Sequence, residues 1–185
     1  NSPVLHVLTF ATKLTKTGCD SLLVALIGGV VPTILGYGEK YLGNFQKLSS
    51  ARDHISKLPD NDLVVFSDAY DVLFAASSEE ITRRLMAIPE ISNGSVLFSA
   101  EKGCFPQWGQ AFGRQWCREI YPLTSEPYRY LNSGAWAGRA SAAYALLSEL
   151  VAFTPGIKSD QQIASNYFVD APGRIVLDNQ AAFFQ

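Results

Sequence analysis

Leu63-Val64-Val65-Phe66-Ser67-Asp68-Ala69-Tyr70-Asp71 passes from a continuous apolar run straight into two acids. Four apolar residues in succession, preceded by the turn-forming Pro59-Asp60-Asn61-Asp62, read as a strand buried on both faces. Strands of that kind belong to parallel sheets covered by helices. Carboxylates three residues apart point to opposite faces if the strand continues. If the chain turns near Asp68, both come to one side, as at i and i+3 of a helical turn. Two acids so placed repel unless a cation lies between them. Mg²⁺ or Mn²⁺ suits oxygen ligands and keeps water and substrate phosphates in its shell. The competing reading has Asp68 capping the turn and Asp71 solvated.

The flanking sequence supplies the rest of an α/β pattern. Residues 4–10 form an apolar, β-branched-rich run and read as a first strand, and 30–35 as a second. Between them 18–27 suits a helix closed by Gly28-Gly29. Apolar residues at helical spacing predict an amphipathic helix over 46–58. Ser77-Ser78-Glu79-Glu80 opens a helix over 77–86, Ser141 is the expected N-cap of one over 141–153 ending before Pro155, and Ser159 caps another over 159–167 with Gln162 as box partner. Further strands are expected at 96–98 and 174–177. Strands alternating with helices predict a mainly parallel sheet flanked by helices on both faces. In such sheets ligands bind beyond the carboxyl ends of the strands. That rule favours a functional reading of Asp68 and Asp71.

Composition excludes several classes. The chain has 185 residues, 48% hydrophobic and 17% charged, enough to bury one core and too apolar for disorder. Net charge is −2 with no basic run, so a nucleic-acid partner has no electrostatic footprint. An acidic chain that binds phosphate needs local positive charge, and a metal ion is one source. No run of residues is long and apolar enough to suggest a membrane span. Cys19, Cys104 and Cys117 form no C-x-x-C pair, which argues against a zinc ribbon or a thioredoxin-type motif; one disulfide is allowed, Cys104 with Cys117 being one pairing. Asn93-Gly94-Ser95 is both an N-glycosylation sequon and an ordinary turn, and the turn is the preferred reading. A phosphotransferase with an aspartate nucleophile competes for the strand-end acid, but such enzymes place their aspartates two residues apart, and position 70 is Tyr.

The order of short motifs resembles the glycosyltransferase domain of the procollagen lysyl hydroxylase (multifunctional lysyl hydroxylase/glycosyltransferase) family. The words that carry the likeness are Val7-Leu8-Thr9-Phe10-Ala11-Thr12-Lys13, Gly36-Tyr37-Gly38-Glu39, Gln46-Lys47, Asp68-Ala69-Tyr70-Asp71, Leu97-Phe98-Ser99-Ala100-Glu101, Tyr130-Leu131-Asn132-Ser133-Gly134, Ser159-Asp160-Gln161-Gln162 and Phe183-Phe184-Gln185. The resemblance implies a GT-A-like (Rossmann-like) fold and one domain over 1–185, cut short at its C-terminal end. It implies transfer of glucose or galactose from a UDP-sugar donor to a hydroxyl acceptor, hydroxylysine-linked on collagen-like chains, in the endoplasmic reticulum or secretory pathway. It also implies that Asp68 and Asp71 ligate Mn²⁺, that Thr12, Tyr70 and Lys47 bind the nucleotide, and that Asn132 and Asp160 line the sugar and acceptor side, with Asp160 orienting a hydroxyl or accepting its proton.

The chain departs from the family pattern at several points. Only Gly43-Asn44-Phe45 remains of a longer glycine-rich loop before Gln46-Lys47. Phe105 stands where the family has Trp, with Trp108 close behind. Asp160 alone remains of an aspartate run, and Asn179 replaces a His. The family's third metal ligand is a His beyond the final Phe-Gln. The alternative reading that follows is a non-catalytic nucleotide-sugar or glycan-binding module on a degenerate transferase fold.

Overall fold

The computed structural model describes residues 2–106, 113–153, 156–157, 159–171 and 173–184. Trp108, Pro155 and Gln185 lie outside them. In chain order the elements are β1 (Leu5–Phe10), α1 (Lys16–Ile27), β2 (Pro32–Leu35), α2 (Gln46–Ile55), β3 (Leu63–Asp68), α3 (Ser78–Met86), α4 (Pro89–Ser92), β4 (Val96–Glu101), α5 (Gly113–Ile120), β5 (Tyr130–Arg139), α6 (Ala140–Phe153), α7 (Asp160–Asp170) and β6 (Ile175–Asp178). The strands form a six-stranded sheet in the order β2-β1-β3-β5-β4-β6. β1 runs parallel to β2 and β3, and β4 parallel to β6; only β5 is antiparallel to its neighbours.

β3 is buried on both faces, as its apolar run requires. Val64 and Phe66 face one layer with Leu8, Phe98 and Trp136, under α2, α6 and α7. Leu63 and Val65 face the other with Val7, Leu97 and Ala137, against Ile81, Leu85 and Ile91. Trp136 on β5 is sandwiched between Phe66 and Phe98, with ring centroids 5.3 and 6.3 Å away. Such offset stacks add about 1 kcal/mol each beyond the area they bury.

Two expected caps are present, Ser77 accepting from Glu80 N and Ser159 from Gln162 N; Thr15, accepting from Gly18 N, is a third that was not expected. Ser141 does not cap α6. That helix begins at Ala140, directly off β5, and its first amides donate to Asp62 O and Asp60 O at 2.8 and 3.1 Å. Loop carbonyls satisfy orphan N–H groups as well as a side chain does, so the helix needs no serine there. The ten residues of β5 are the main element that pattern reading missed. Asn132-Ser133-Gly134 carries turn chemistry, yet here it belongs to a strand that breaks register with β4 between Phe98 and Ser99. Cys104 and Cys117 are disulfide-bonded, tying the segment after β4 to α5, and Cys19 is free. Among the described residues no helix is long and apolar enough to cross a membrane.

Candidate functional site

Asp68 closes β3 at the centre of the sheet, between β1 and β5. The chain leaves the strand there, and Asp68 and Asp71 line one cavity of about 600 Å³. Ser67, Ser99, Asn132 and Gly134 complete its polar end, all at strand termini or at the β5 irregularity. Val72, Phe74, Ile81, Phe183 and Phe184 form its apolar walls. A bulge beside a cleft re-aims side chains, and this one brings Asn132 and Gly134 to the cavity.

Each oxygen of Asp68 has its own surroundings. Oδ1 accepts from Lys47 Nζ at 2.6 Å. Oδ2 faces Gly134 and has no hydrogen-bond donor among the described residues. A Cβ on Gly134 would lie 3.1 Å from that Oδ2 and 2.9 Å from Asn132 Oδ1. The missing side chain therefore keeps the carboxylate open to the cavity. Asn132 is held by Ser99, whose hydroxyl donates to its backbone O at 3.0 Å, and its Oδ1 accepts from Gly134 N at 2.7 Å.

Behind Asp68 lies a buried chain of charge. Lys47, in the first turn of α2, stands 3.5 Å from Asp160 Oδ2, and Ser133 Oγ donates to the same oxygen at 3.0 Å. Asp160 is 3% exposed, so its carboxylate meets Lys47 and Ser133 rather than the open cavity. Burial alone would depress the Lys47 ammonium, but the two carboxylates outweigh it and raise its pKa. Burial is also the largest influence on Asp68; helped by Asp160 and Asp71, it outweighs Lys47 and raises the carboxyl above its ordinary value.

Thr12 and Tyr70 form a second group. Tyr70 Oη donates to Lys13 O at 2.6 Å, and its ring lies against Gly18, where a Cβ would be 3.0 Å from Cδ1. Thr12 O accepts from Gly38 N at 3.0 Å, joining the loop after β1 to the loop after β2. The described structure thus gathers Asp68, Asp71 and Asn132 on one cavity, Lys47 and Asp160 behind it, and Thr12 and Tyr70 on a neighbouring shelf.

Three features escaped sequence reading. Ser67 and Ser99 were accessible to the strand-end rule. Gly134 was not, because a glycine in a turn-like tripeptide gives no sign of what its Cβ would strike. Asp178, at the end of β6, accepts from the backbone N–H groups of Ala182, Phe183 and Phe184 at 2.8, 2.8 and 2.7 Å, and so fixes one apolar wall of the cavity. Glu101 accepts from Gln161 Nε2 at 2.5 Å, and the same amide donates to Leu131 O at 3.0 Å. His6 pairs with Asp62 at 2.9 Å, beside the start of β3, away from the strand-end acids.

Among the described residues no group of three or more His, Cys, Asp or Glu is arranged to hold a metal. Two carboxylates on one cavity, one with an oxygen kept clear by a glycine, nevertheless suit a hard dication that takes its remaining ligands from water and substrate phosphate.

Comparison with known proteins fits this architecture. The multifunctional procollagen lysine hydroxylase and glycosyltransferase LH3 of Homo sapiens is 30% identical over 159 residues, covering 80% of this chain and 20% of that protein. The procollagen-lysine,2-oxoglutarate 5-dioxygenase of Drosophila melanogaster is 30% identical over 195 residues, covering 98% of this chain and 25% of that protein. The chain therefore spans about a fifth to a quarter of these relatives' length. Two solved structures share the fold. A glycosyltransferase involved in glycosylation of the major capsid of PBCV-1 has a TM-score of 0.53 at 14% identity, covering 95% of this chain and 82% of that one. Mouse xyloside xylosyltransferase 1 has a TM-score of 0.54 at 12% identity, covering 95% and 85%. The sheet and its flanking helices are those of GT-A-type glycosyltransferases. A profile of the PLOD GT domain matches residues 1–185 from end to end, and the chain belongs to that family of glycosyltransferase domains.

Proposed function

We propose that this domain transfers a hexose, glucose or galactose, from a UDP-sugar to a hydroxyl acceptor, with hydroxylysine-linked sites on collagen-like chains as the acceptor class suggested by its relatives' names. The observation that carries the reading is the convergence of Asp68 and Asp71 on one cavity at the strand ends of a glycosyltransferase-family domain. In this reading Asp68 and Asp71 hold Mn²⁺ or Mg²⁺. When bound, that ion supplies Lewis-acid stabilisation to the diphosphate leaving group.

The chain's own residues do the rest. Tyr70 and Thr12 form the shelf for the uridine. Lys47 keeps a positive charge between Asp68 and Asp160, in a partly desolvated site where such a charge helps to stabilise a departing diphosphate. Asn132 Oδ1 is fixed by Gly134 N at one end of the cavity and orients a sugar or acceptor hydroxyl. Asp160, assigned to the acceptor side by the family resemblance, meets substrate only through Lys47 in this arrangement. The Cys104–Cys117 disulfide supports the endoplasmic reticulum or secretory pathway as the compartment, since disulfides persist where the environment is oxidising.

The test is Mn²⁺-dependent release of UDP from UDP-glucose and UDP-galactose, with and without a hydroxylysine-containing peptide. Asp68→Ala and Asp71→Ala should each abolish turnover while the melting curve shows a folded protein. Full activity in folded Asp68→Ala would end the proposal. Nucleotide-sugar binding without turnover in the wild-type chain would favour a binding module instead.

A further inference from the structure

One ammonium serves two carboxylates here, unequally. Lys47 Nζ is 2.6 Å from Asp68 Oδ1 and 3.5 Å from Asp160 Oδ2. Asp68 borders the cavity, whereas Asp160 lies behind it, anchored by the Ser133 hydroxyl on the oxygen that faces Lys47. The Lys47 side chain is 14% exposed, so the ammonium has little water to retreat into. A buried charge left without a partner is strongly unfavourable.

That arrangement creates a conflict at Asp68. A dication arriving there meets a lysine already bonded to the same carboxylate, and the two positive charges repel. If Lys47 had no other partner, it would either block the cation or be stranded. Asp160 removes the dilemma, because closing a 3.5 Å separation to hydrogen-bond distance needs a movement below about 1 Å.

Resting on the reading that Asp68 and Asp71 take a divalent cation, we propose that Asp160 is a positioning residue that accepts Lys47 when the cation displaces it from Asp68. Asp160 then governs cation affinity through Lys47, and touches neither the cation nor the sugar. The ammonium drawn back to Asp160 keeps its charge just behind the cavity.

The experiment titrates Mn²⁺ alone, without nucleotide, into the 185-residue chain and follows free Mn²⁺ by electron paramagnetic resonance. The proteins are wild type, Lys47→Met, Asp160→Asn and the double variant, each checked by thermal melting. Lys47→Met should tighten Mn²⁺ by about tenfold or more, because a competing positive charge next to the ligand is gone. Asp160→Asn should weaken it by about threefold or more, because the ammonium is left on Asp68. In the Lys47→Met background, Asp160→Asn should change affinity by less than about twofold, since its effect runs through the missing lysine. Equal weakening in both backgrounds would make Asp160 only a distant charge and overturn the proposal. So would unchanged or weaker binding in Lys47→Met. If either variant fails to fold, Lys47→Gln and Asp160→Ser complete the same cycle. Failure of the underlying reading looks different: wild type and Asp68→Ala would then bind Mn²⁺ alike. Wild-type binding that Asp68→Ala abolishes upholds the cation site and leaves the cycle to judge Asp160.

Discussion

Replacing Gly134 with alanine adds one methyl group at the point where β5 crosses the candidate site. Its Cβ would be 2.9 Å from Asn132 Oδ1 and 3.1 Å from Asp68 Oδ2, against ordinary contact from 3.4 Å, so the approaches are about 0.5 and 0.3 Å too short. Neither neighbour is a free-swinging side chain. Asn132 is held by Ser99 and by Gly134 N, and Asp68 by Lys47. Relief therefore moves the acid, breaks the 2.7 Å hydrogen bond, or both. Breaking that bond costs about 1 kcal/mol. Strand glycine is itself unfavourable by about 0.5–1 kcal/mol relative to alanine, which offsets the loss. Stability should stay near wild type, with Tm within about 4 °C. Catalysis should not, since a misplacement of about 1 Å costs on the order of a hundredfold and half of that about tenfold. We expect kcat/KM for UDP release to fall about 10–100-fold, equivalent to about 1.4–2.7 kcal/mol of transition-state stabilisation. Differential scanning fluorimetry and coupled UDP detection on the same preparation measure both quantities. Wild-type kcat/KM in a folded Gly134→Ala protein would show that the crowding is absorbed elsewhere and that the glycine does not shape the site. A loss of stability above about 3 kcal/mol would assign it to the fold instead.

Gly18→Ala pushes a Cβ to 3.0 Å from Tyr70 Cδ1 in the first turn of α1. Alanine should raise helix stability by up to about 1 kcal/mol, while an off-rotamer tyrosine costs about 1 kcal/mol, or about fivefold in UDP affinity by calorimetry; unchanged affinity would remove Tyr70 from the nucleotide shelf. Trp136→Ala empties the stack between Phe66 and Phe98 and should lower unfolding free energy by about 3–5 kcal/mol in urea titrations; a loss below 1 kcal/mol would contradict the packing described. Asp62 has its pKa lowered from an ordinary 3.8, first by the His6 hydrogen bond and then by Val4 N. A depressed carboxyl stabilises the fold above its unfolded value and loses that contribution as pH falls through its folded value. Asp62→Asn should therefore flatten the Tm-versus-pH curve below about pH 4, and an unaltered acid limb would show that the pair is energetically silent.

Legibility in the sequence followed the range of the interactions involved. Local physics was readable: the apolar run of β3, the caps Ser77 and Ser159, and the acids after Phe66 each depend on residues within a few positions of one another. β5 was hidden because its signals conflict. Asn132-Ser133-Gly134 spells a turn, while the strand containing it is specified by partners far away in sequence, Phe98 and Phe66 against Trp136. Lys47 on its own reads as a solvated helix charge, and Asp160 as a carboxylate at a helix N-terminus. Both local readings place the residues correctly on their helices. They miss that α2 and α7 deliver the two side chains to the same buried point behind Asp68.

The same distinction explains how the site is built. Apolar alternation sets which face each strand buries, and that fixes where β3 ends. The chemistry then depends on what other elements bring to that end: a lysine from α2, a carboxylate from α7, and a glycine from a strand running the opposite way. β5 is antiparallel, so its N-terminal half, not its C-terminal end, reaches the carboxyl edge of the parallel strands. Its register break beside Ser99 places Asn132 and Gly134 there together. A regular β5 would carry Gly134 and Asn132, two and four residues before Trp136, on the face of the sheet that Trp136 buries. The irregularity that obscured the strand in the sequence is thus what brings Asn132 and the open face of Gly134 to Asp68.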